Sequence, residues 1–307
     1  MKKTLLAALL LTAQTHAADK LNLVLDWFAN PDHAALIIAK QKGYFAAHDL
    51  DVHLEEPSDP SVPPKLVAAG KADLAVSYQP ELYLQNDAGL GLVRTATLVA
   101  TPLNTLIVKA DSGIQTIADL KGKNIGYSVA GVEEALLTAI LKTAGLTLDD
   151  VKRTNVNFSL APAVMTGQVD AVIGGYRNFE LHQMQTAGTP GRAFYIEEHG
   201  IPAYDELIII ARKDSLNHDL LARFNQALEE ATQYTINHPD DAWQAFVNYR
   251  KDLDDDTNRA AWGETLPRLA HRPGALDTRR YQRFAEFMHA HGLIKTVPAL
   301  ADYAIQP

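Results

Sequence analysis

LVAAGKADLAVSYQ, residues 66–79, and AVMTGQVDAVIGGY, residues 163–176, follow one pattern. Each runs from an apolar helical stretch through Gly-x-x-Asp into a short run of β-forming residues, and each ends on polar or aromatic side chains. In open α/β sheets, ligands bind beyond the carboxyl ends of the strands. Helix–Gly–strand units recur throughout α/β proteins, but two such similar units favour two similar lobes that present strand ends to one cleft.

A second pair of segments indicates where the chain passes between the lobes. LNTLIVKADS at 103–112 resembles ELIIIARKDS at 206–215, since each is a β-branched run followed by Lys, Asp and Ser. We therefore expect one lobe to contain residues 18–102 and 207–307, with a C-terminal helical cap from about residue 217. The other lobe is expected to contain residues 103–206.

The N-terminal segment is typical of a secretion signal. Lys2 and Lys3 precede the apolar run Leu5–Thr12, which is shorter than the ~20 residues that cross a bilayer. Small residues follow at the usual cleavage spacing. We expect residues 1–17 to be removed and the mature chain to act in the periplasm, without a lipid anchor because the chain has no cysteine.

Composition argues against several classes of function. The formal net charge of -9 disfavours binding to nucleic acid or anionic lipid. None of the 11 histidines has zinc-ligand spacing, and neither a P-loop nor a nucleophile elbow is present. We therefore expect no metal, no cofactor and no nucleic-acid partner.

Period-two and period-3.6 patterns place the main elements. The expected strands include 21–25, 74–77, 92–100, 105–109, 124–127, 169–173 and 207–211, and the expected helices include 33–42 and 133–144. The proline-rich stretch 57–64 is interpreted as a rigid loop that forms neither a helix nor a central strand.

Four motifs together resemble the thiamine pyrimidine-precursor family. They are DWFANPDH at 26–33, the proline-rich loop at 57–64, SYQP at 77–80 and GGYRNFE at 174–180. That family joins bacterial periplasmic binding proteins to fungal hydroxymethylpyrimidine phosphate synthases, and the likeness is greater to the transport branch. The resemblance implies a type II periplasmic binding-protein fold, with two lobes and a hinged cleft. It also implies delivery of hydroxymethylpyrimidine or its formylamino-aminomethyl relative to an ABC permease, and we expect the chain to be a monomer.

Such a ligand has a flat aromatic face and a polar edge. Aromatic walls suit the face, and a few placed polar groups suit the edge. Aromatic and polar residues that follow predicted strands or flank the crossovers form the candidate site: Trp27, Asn30, His33, Ser58, Tyr78, Gln79, Asn104, Tyr127, Tyr176, Asn178, Glu180, Tyr204 and Glu206.

Several candidates have a structural alternative. Glu180 also fits the first turn of a helix capped by Asn178, and Tyr204 and Glu206 also fit hinge structure.

The backbone amides around Gly126–Ser128 precede a helix and are suited to a polar substituent or an anion.

Two other functions remain open. The fungal synthases use pyridoxal phosphate through a lysine and carry a cysteine-rich motif, whereas this chain has no cysteine and no lysine within 26–33. Binding proteins of the same fold take sulfonate, nitrate or riboflavin, and Arg177 is the arginine nearest the candidate site. The family often has histidine where this chain has Thr101.

Overall fold

The computed structural model describes residues 17–307, so residues 1–16 of the expected signal segment lie outside the described part. The described chain contains ten strands: β1 (Asp19–Val24), β2 (Leu50–Glu55), β3 (Leu74–Ser77), β4 (Leu92–Val99), β5 (Asn104–Lys109), β6 (Asn124–Tyr127), β7 (Lys152–Asn155), β8 (Ala171–Tyr176), β9 (Gly191–Tyr195) and β10 (Leu207–Arg212).

The same residues contain eleven α-helices: α1 (Ala34–Gln41), α2 (Tyr44–Ala47), α3 (Pro63–Ala68), α4 (Gln79–Asp87), α5 (Val132–Thr143), α6 (Leu160–Met165), α7 (Glu180–Thr186), α8 (His218–Asn237), α9 (Pro239–Tyr249), α10 (Asp256–Thr265) and α11 (Thr278–Ala290). None of these helices is long and apolar enough to cross a membrane.

The strands form two sheets of the same design. The first has the order β2-β1-β3-β10-β4 and the second the order β7-β6-β8-β5-β9. In each, three parallel strands are followed by an antiparallel strand, β10 in the first sheet and β5 in the second. The two similar segments that contain β5 and β10 thus hold equivalent positions. The boundaries of the lobes, at residues 102 and 206, stay a prediction.

The aspartates of the two Gly-x-x-Asp motifs make the same contacts. The Asp73 carboxylate accepts from the Asn22 amide at 2.8 Å, and the Asp73 amide donates to the Asn22 carbonyl at 3.0 Å. Asp170 and Asn124 repeat both bonds, each at 2.8 Å. Each aspartate therefore fixes the entry of one strand beside its parallel neighbour, and this explains why one sequence pattern recurs.

The C-terminal segment is helical and is tied to the first sheet by a buried arginine. Arg94, on β4, is 0 % exposed. Its guanidinium donates to the Thr97 hydroxyl and to four carbonyls of the C-terminal segment, those of Pro273, Gly274, Ala275 and Ile305. These bonds compensate for the burial of the charge.

Several local predictions were wrong. Pro63 and Pro64 begin α3, because the first turn of a helix does not need the N–H that proline lacks. The helix expected from His33 begins one residue later, since His33 ends a short 3₁₀ turn, Pro31–His33. Strands β7 and β9 were not predicted. Both are edge strands without fully buried residues, so they lack an alternating apolar pattern.

Candidate functional site

A cavity that is partly open to solvent lies between the two sheets and encloses about 590 Å³ of space. Residues that follow β1, β3 and β8, together with the start of α5, surround it. The lining residues are Asp26, Trp27, Asn30, Asp32, His33, Tyr78, Pro80, Asn104, Val132, Glu133, Leu136, Leu160, Gly174, Tyr176, Phe179, Glu180, Tyr204, Glu206 and Leu207. The cavity therefore lies beyond the carboxyl ends of strands from both sheets.

Most of the candidates come together here. Nine line the cavity: Trp27, Asn30, His33, Tyr78, Asn104, Tyr176, Glu180, Tyr204 and Glu206. Four do not: Ser58, Gln79, Tyr127 and Asn178. A role of the nine in ligand binding stays a prediction.

Three of these four candidates have surroundings unrelated to the cavity. Ser58 is exposed in the proline-rich loop, and Tyr127 packs against the hydrophobic core. Gln79 is the first residue of α4, and its side chain donates to the Tyr83 hydroxyl at 2.9 Å and accepts from the Asp205 amide at 2.7 Å.

Asp26 organises the wall formed by the first sheet. One carboxylate oxygen lies 2.8 Å from His33 Nε2, and the other accepts from the Tyr78 hydroxyl at 2.8 Å. His33 Nδ1 accepts from the Asn30 amide at 3.3 Å, so Nε2 carries the proton that is donated to Asp26. Asp26 thus orients both His33 and Tyr78. The sequence motif 26–33 contained this residue, but its spacing did not distinguish a positioning role from a loop role.

Glu133 closes the end of the cavity formed by α5. Its carboxylate accepts from the amides of Ser128 at 2.6 Å and Val129 at 3.2 Å. Ser128 belongs to the stretch Gly126–Ser128, whose backbone amides we expected to hold a polar substituent or an anion. That interpretation was wrong for Ser128, because the acceptor is Glu133 of the same chain. Burial raises the pKa of Glu133 to about 8.

Two further glutamates accept hydrogen bonds from backbone amides in the same way. Glu180 accepts from the Tyr176 amide at 2.6 Å. Glu206 accepts from the amides of Leu103 at 2.5 Å and Asn104 at 2.8 Å. Burial raises the pKa of Glu180 and that of Glu206 to about 7. Because Glu206 lies just before β10 and bonds to the start of β5, it joins the two strands that hold equivalent positions in the sheets.

Asp32 connects the two sides of the cavity. Its Oδ1 accepts from Asn178 Nδ2 at 2.7 Å and from the Thr265 hydroxyl at 3.1 Å. Asn178 also donates to Thr265 at 2.8 Å. Burial raises the pKa of Asp32 to about 6. The expectation that Asn178 caps α7 was wrong, because Phe179 holds the cap position and makes no side-chain cap bond.

Two polar atoms of the lining lack a hydrogen-bond partner within residues 17–307. They are Asp32 Oδ2 and the Tyr176 hydroxyl oxygen. Buried polar atoms are normally paired. These two atoms are therefore suited to a polar group of a molecule in the cavity.

The lining is rich in acceptors and poor in cations. Five of its residues are acids, namely Asp26, Asp32, Glu133, Glu180 and Glu206, and none of the described lining residues is lysine or arginine. Arg177 points elsewhere, with its guanidinium 2.7 and 2.8 Å from the two carboxylate oxygens of Glu197. Such a lining suits a ligand that donates hydrogen bonds or carries positive charge.

Aromatic side chains supply flat walls. Trp27, Tyr78, Tyr176 and Phe179 all line the cavity. Trp27 is half-buried and meets Phe158 edge to face, with ring centroids 4.7 Å apart. Within residues 17–307, no three histidines or acids lie close enough together to hold a metal ion. The site can therefore stack a planar ring and accept hydrogen bonds from its edge.

Comparison with known proteins gives a consistent result. A family model described as NMT1/THI5 like matches residues 30–242. A putative thiamine biosynthesis protein of Haemophilus influenzae is 51 % identical over 97 % of this chain and 95 % of its own length. A formylaminopyrimidine-binding protein of Halalkalibacterium halodurans is 29 % identical over 94 % and 90 %. A fungal relative, 4-amino-5-hydroxymethyl-2-methylpyrimidine phosphate synthase of Aspergillus parasiticus, is 27 % identical over 79 % and 74 %.

Among solved structures, the alkanesulfonate-binding protein SsuA from Xanthomonas axonopodis pv. citri has a TM-score of 0.73. The match covers 95 % of this chain and 100 % of that chain at 18 % identity. At this identity the likeness concerns the fold. It confirms the predicted α/β fold, the two-lobed type II fold of the periplasmic binding proteins.

Proposed function

Because this chain belongs to the NMT1/THI5-like family, we propose that it is the periplasmic solute-binding protein of an ABC importer and binds a pyrimidine precursor of thiamine. The ligand is hydroxymethylpyrimidine or the formylamino-aminomethyl pyrimidine. The partner is a permease of the inner membrane, to which the loaded protein docks.

The cavity lining is the observation that carries this proposal. A 4-aminopyrimidine has a flat ring and an exocyclic amine, which need aromatic walls and hydrogen-bond acceptors. Trp27 and Tyr176 supply walls, and five acids supply acceptors. The relative from Halalkalibacterium halodurans is named as a binding protein for a ligand of this class.

The same lining argues against a sulfonate or nitrate ligand. Such anions are held by arginine, lysine or unoccupied backbone amides. The described lining has no lysine or arginine, and Glu133, Glu180 and Glu206 already occupy amides beside the cavity. The likeness to the alkanesulfonate-binding protein is therefore one of fold.

A synthase reaction is the second candidate, because fungal relatives are named as synthases. A pyridoxal phosphate enzyme needs a lysine for the Schiff base. No lysine is among the described residues that line the cavity. The binding role is therefore the better supported of the two, and no covalent step is proposed.

A thermal-shift screen of the mature protein tests the proposal. The panel is hydroxymethylpyrimidine, formylamino-aminomethyl pyrimidine, thiamine, riboflavin, taurine, nitrate and pyridoxal phosphate. A ligand at about 100 times its Kd stabilises the folded state by about 2.7 kcal/mol, which raises Tm by about 5–10 °C in a chain of this size. We expect this rise with one of the two pyrimidines. A rise with taurine or nitrate alone would overturn the ligand assignment, and a rise with pyridoxal phosphate would favour the enzyme.

A further inference from the structure

The two carboxylate oxygens of Asp32 have different surroundings. Oδ1 accepts two hydrogen bonds, from Asn178 and Thr265. Oδ2 has no partner within residues 17–307, although Asp32 is 1 % exposed and lines the cavity. One oxygen is thus fixed by the protein, whereas the other is available to a molecule in the cavity.

The bonds of Oδ1 join parts of the chain that belong to different sheets. Asp32 follows β1 of the first sheet, and Asn178 follows β8 of the second sheet. Thr265 ends α10, which packs against both α7 and the short turn that contains Asp32. If the two sides of the cavity separate, the bond from Asn178 to Asp32 must break.

We propose that Asp32 couples ligand binding to closure of the cleft, with Oδ1 joining the two sides through Asn178 and Oδ2 accepting a hydrogen bond from an N–H group of the ligand. This inference rests on the proposed function, and it names the part of the ligand that is recognised. The recognised group is an amine or a protonated ring nitrogen, because a carboxylate oxygen accepts hydrogen bonds and repels anions.

The coupling follows from the cost of burying a carboxylate. A buried charge is unfavourable unless several donors surround it, and burial has raised the pKa of Asp32 to about 6. In the closed state, Asn178 stabilises the charge of Asp32 at Oδ1, and a ligand N–H stabilises it at Oδ2. Both bonds therefore favour the closed state. A ligand shifts the equilibrium between open and closed states only if it interacts more favourably with one of them.

Two substitutions separate the two roles. Asn178→Ala removes the cross-cleft donor but leaves Oδ2 unchanged, and Asn178 itself does not line the cavity. Asp32→Asn keeps an oxygen for Asn178 and Thr265 but places an NH₂ donor where the ligand donates. Asn225→Ala is the matched control, because Asn225 is a buried asparagine whose side chain donates within the first-sheet region, to the Thr95 carbonyl.

The experiment is calorimetric titration with hydroxymethylpyrimidine, and the radius of gyration is measured by small-angle scattering with and without ligand. We expect Asn178→Ala to raise Kd about tenfold or more and to reduce the compaction caused by ligand. We expect Asp32→Asn to raise Kd by at least as much, whereas Asn225→Ala lowers Tm with an unchanged Kd.

The outcomes separate this inference from the proposed function. If the unsubstituted protein binds no pyrimidine, the proposed function fails first. If it binds and Asn178→Ala has the same Kd and the same compaction, the coupling is overturned. An unchanged Kd in Asp32→Asn overturns the contact at Oδ2. Should Asp32→Asn fail to fold, Thr265→Val tests the same carboxylate, since it removes the other donor to Oδ1 and should also raise Kd.

Discussion

The Glu133 carboxylate lies in the space that a side chain on Gly174 would need. A Cβ built on Gly174 falls 2.5 Å from the carboxyl carbon of Glu133. Gly174 also has a φ of +98°, in the left-handed region that favours glycine. The end of β8 and the start of α5 can therefore approach each other closely only with glycine at this position.

Gly174→Ala should destabilise the fold and weaken ligand binding. Backbone strain of this kind costs about 1–3 kcal/mol, and Glu133 must also be displaced. Gly131→Ala is the control, because Gly131 has a φ of +91° but open space around the added Cβ. Urea unfolding should show a larger loss for Gly174→Ala. Equal losses would mean that the close approach to Glu133 contributes nothing.

Stability of the ligand-free protein should fall as pH rises above about 5. Buried Glu133 has a pKa of about 8 instead of its ordinary 4.5, and Glu180 and Glu206 have pKa values of about 7. Between the ordinary and the raised values the folded state binds more protons than the unfolded state, so a rise in pH lowers the free energy of unfolding. The loss is complete above about pH 8.

This pH dependence is measured as Tm between about pH 5 and about pH 8.5, where we expect a fall of several degrees. Glu133→Gln should flatten the curve, since the amide does not titrate. A Tm that rises over this interval, or a curve unaffected by Glu133→Gln, would show that the buried glutamates do not hold their protons.

Trp27→Ala should weaken binding of the pyrimidine tenfold or more, about 1.4 kcal/mol or above, because it removes an aromatic wall. Its neighbour provides the control. Phe28 also contacts Phe158, with centroids 4.5 Å apart, but it is 45 % exposed and does not line the cavity. Titration calorimetry should give Phe28→Ala nearly the Kd of the unsubstituted protein, and equal losses would remove Trp27 from the site.

Glu180→Ala should also raise Kd tenfold or more, about 1.4 kcal/mol or above. It removes a lining acceptor and releases the Tyr176 amide, which Glu180 holds at 2.6 Å. Glu264→Ala is a useful comparison, because Glu264 contacts His182 of α7 at 3.0 Å but lies outside the cavity lining. Normal binding by Glu180→Ala would contradict the assigned acceptor.

Arg94→Lys should lower the free energy of unfolding by about 2–4 kcal/mol without changing Kd. Lysine cannot reproduce the several bonds that the guanidinium makes to the C-terminal carbonyls, and buried bonds from charged groups are costly to lose. Urea unfolding and calorimetry together check this. A changed Kd would indicate that the C-terminal segment influences the cavity.

Much of the fold could be predicted because its signals are local. The Gly-x-x-Asp motifs mark strand entries through contacts that each sheet repeats, and central strands such as β3 are fully buried. Edge strands β7 and β9 depend on pairing with a neighbour. Their residues carry no alternating apolar pattern, so a single sequence does not indicate them.

The lining of the cavity was predictable where an aromatic residue ends a strand or directly follows it, as Tyr176 ends β8 and Tyr78 follows β3. Asp32 and Glu133 were missed because their roles depend on partners distant in sequence or on a backbone turn: Asn178 for Asp32, and the amides of Ser128 and Val129 for Glu133. A sequence shows that an acid is present, but not whether its charge is exposed, paired or buried.

The glutamates that accept hydrogen bonds from backbone amides affect how proteins of this fold can come to bind different ligands. Each carboxylate acts as a built-in competitor that excludes an external anion from donors that the backbone supplies regardless of sequence. The preference of the cavity for the charge of its ligand thus depends on a few side chains, while the main chain stays the same. A lineage can reverse that preference by exchanging these acids, without rebuilding the strands that surround the pocket.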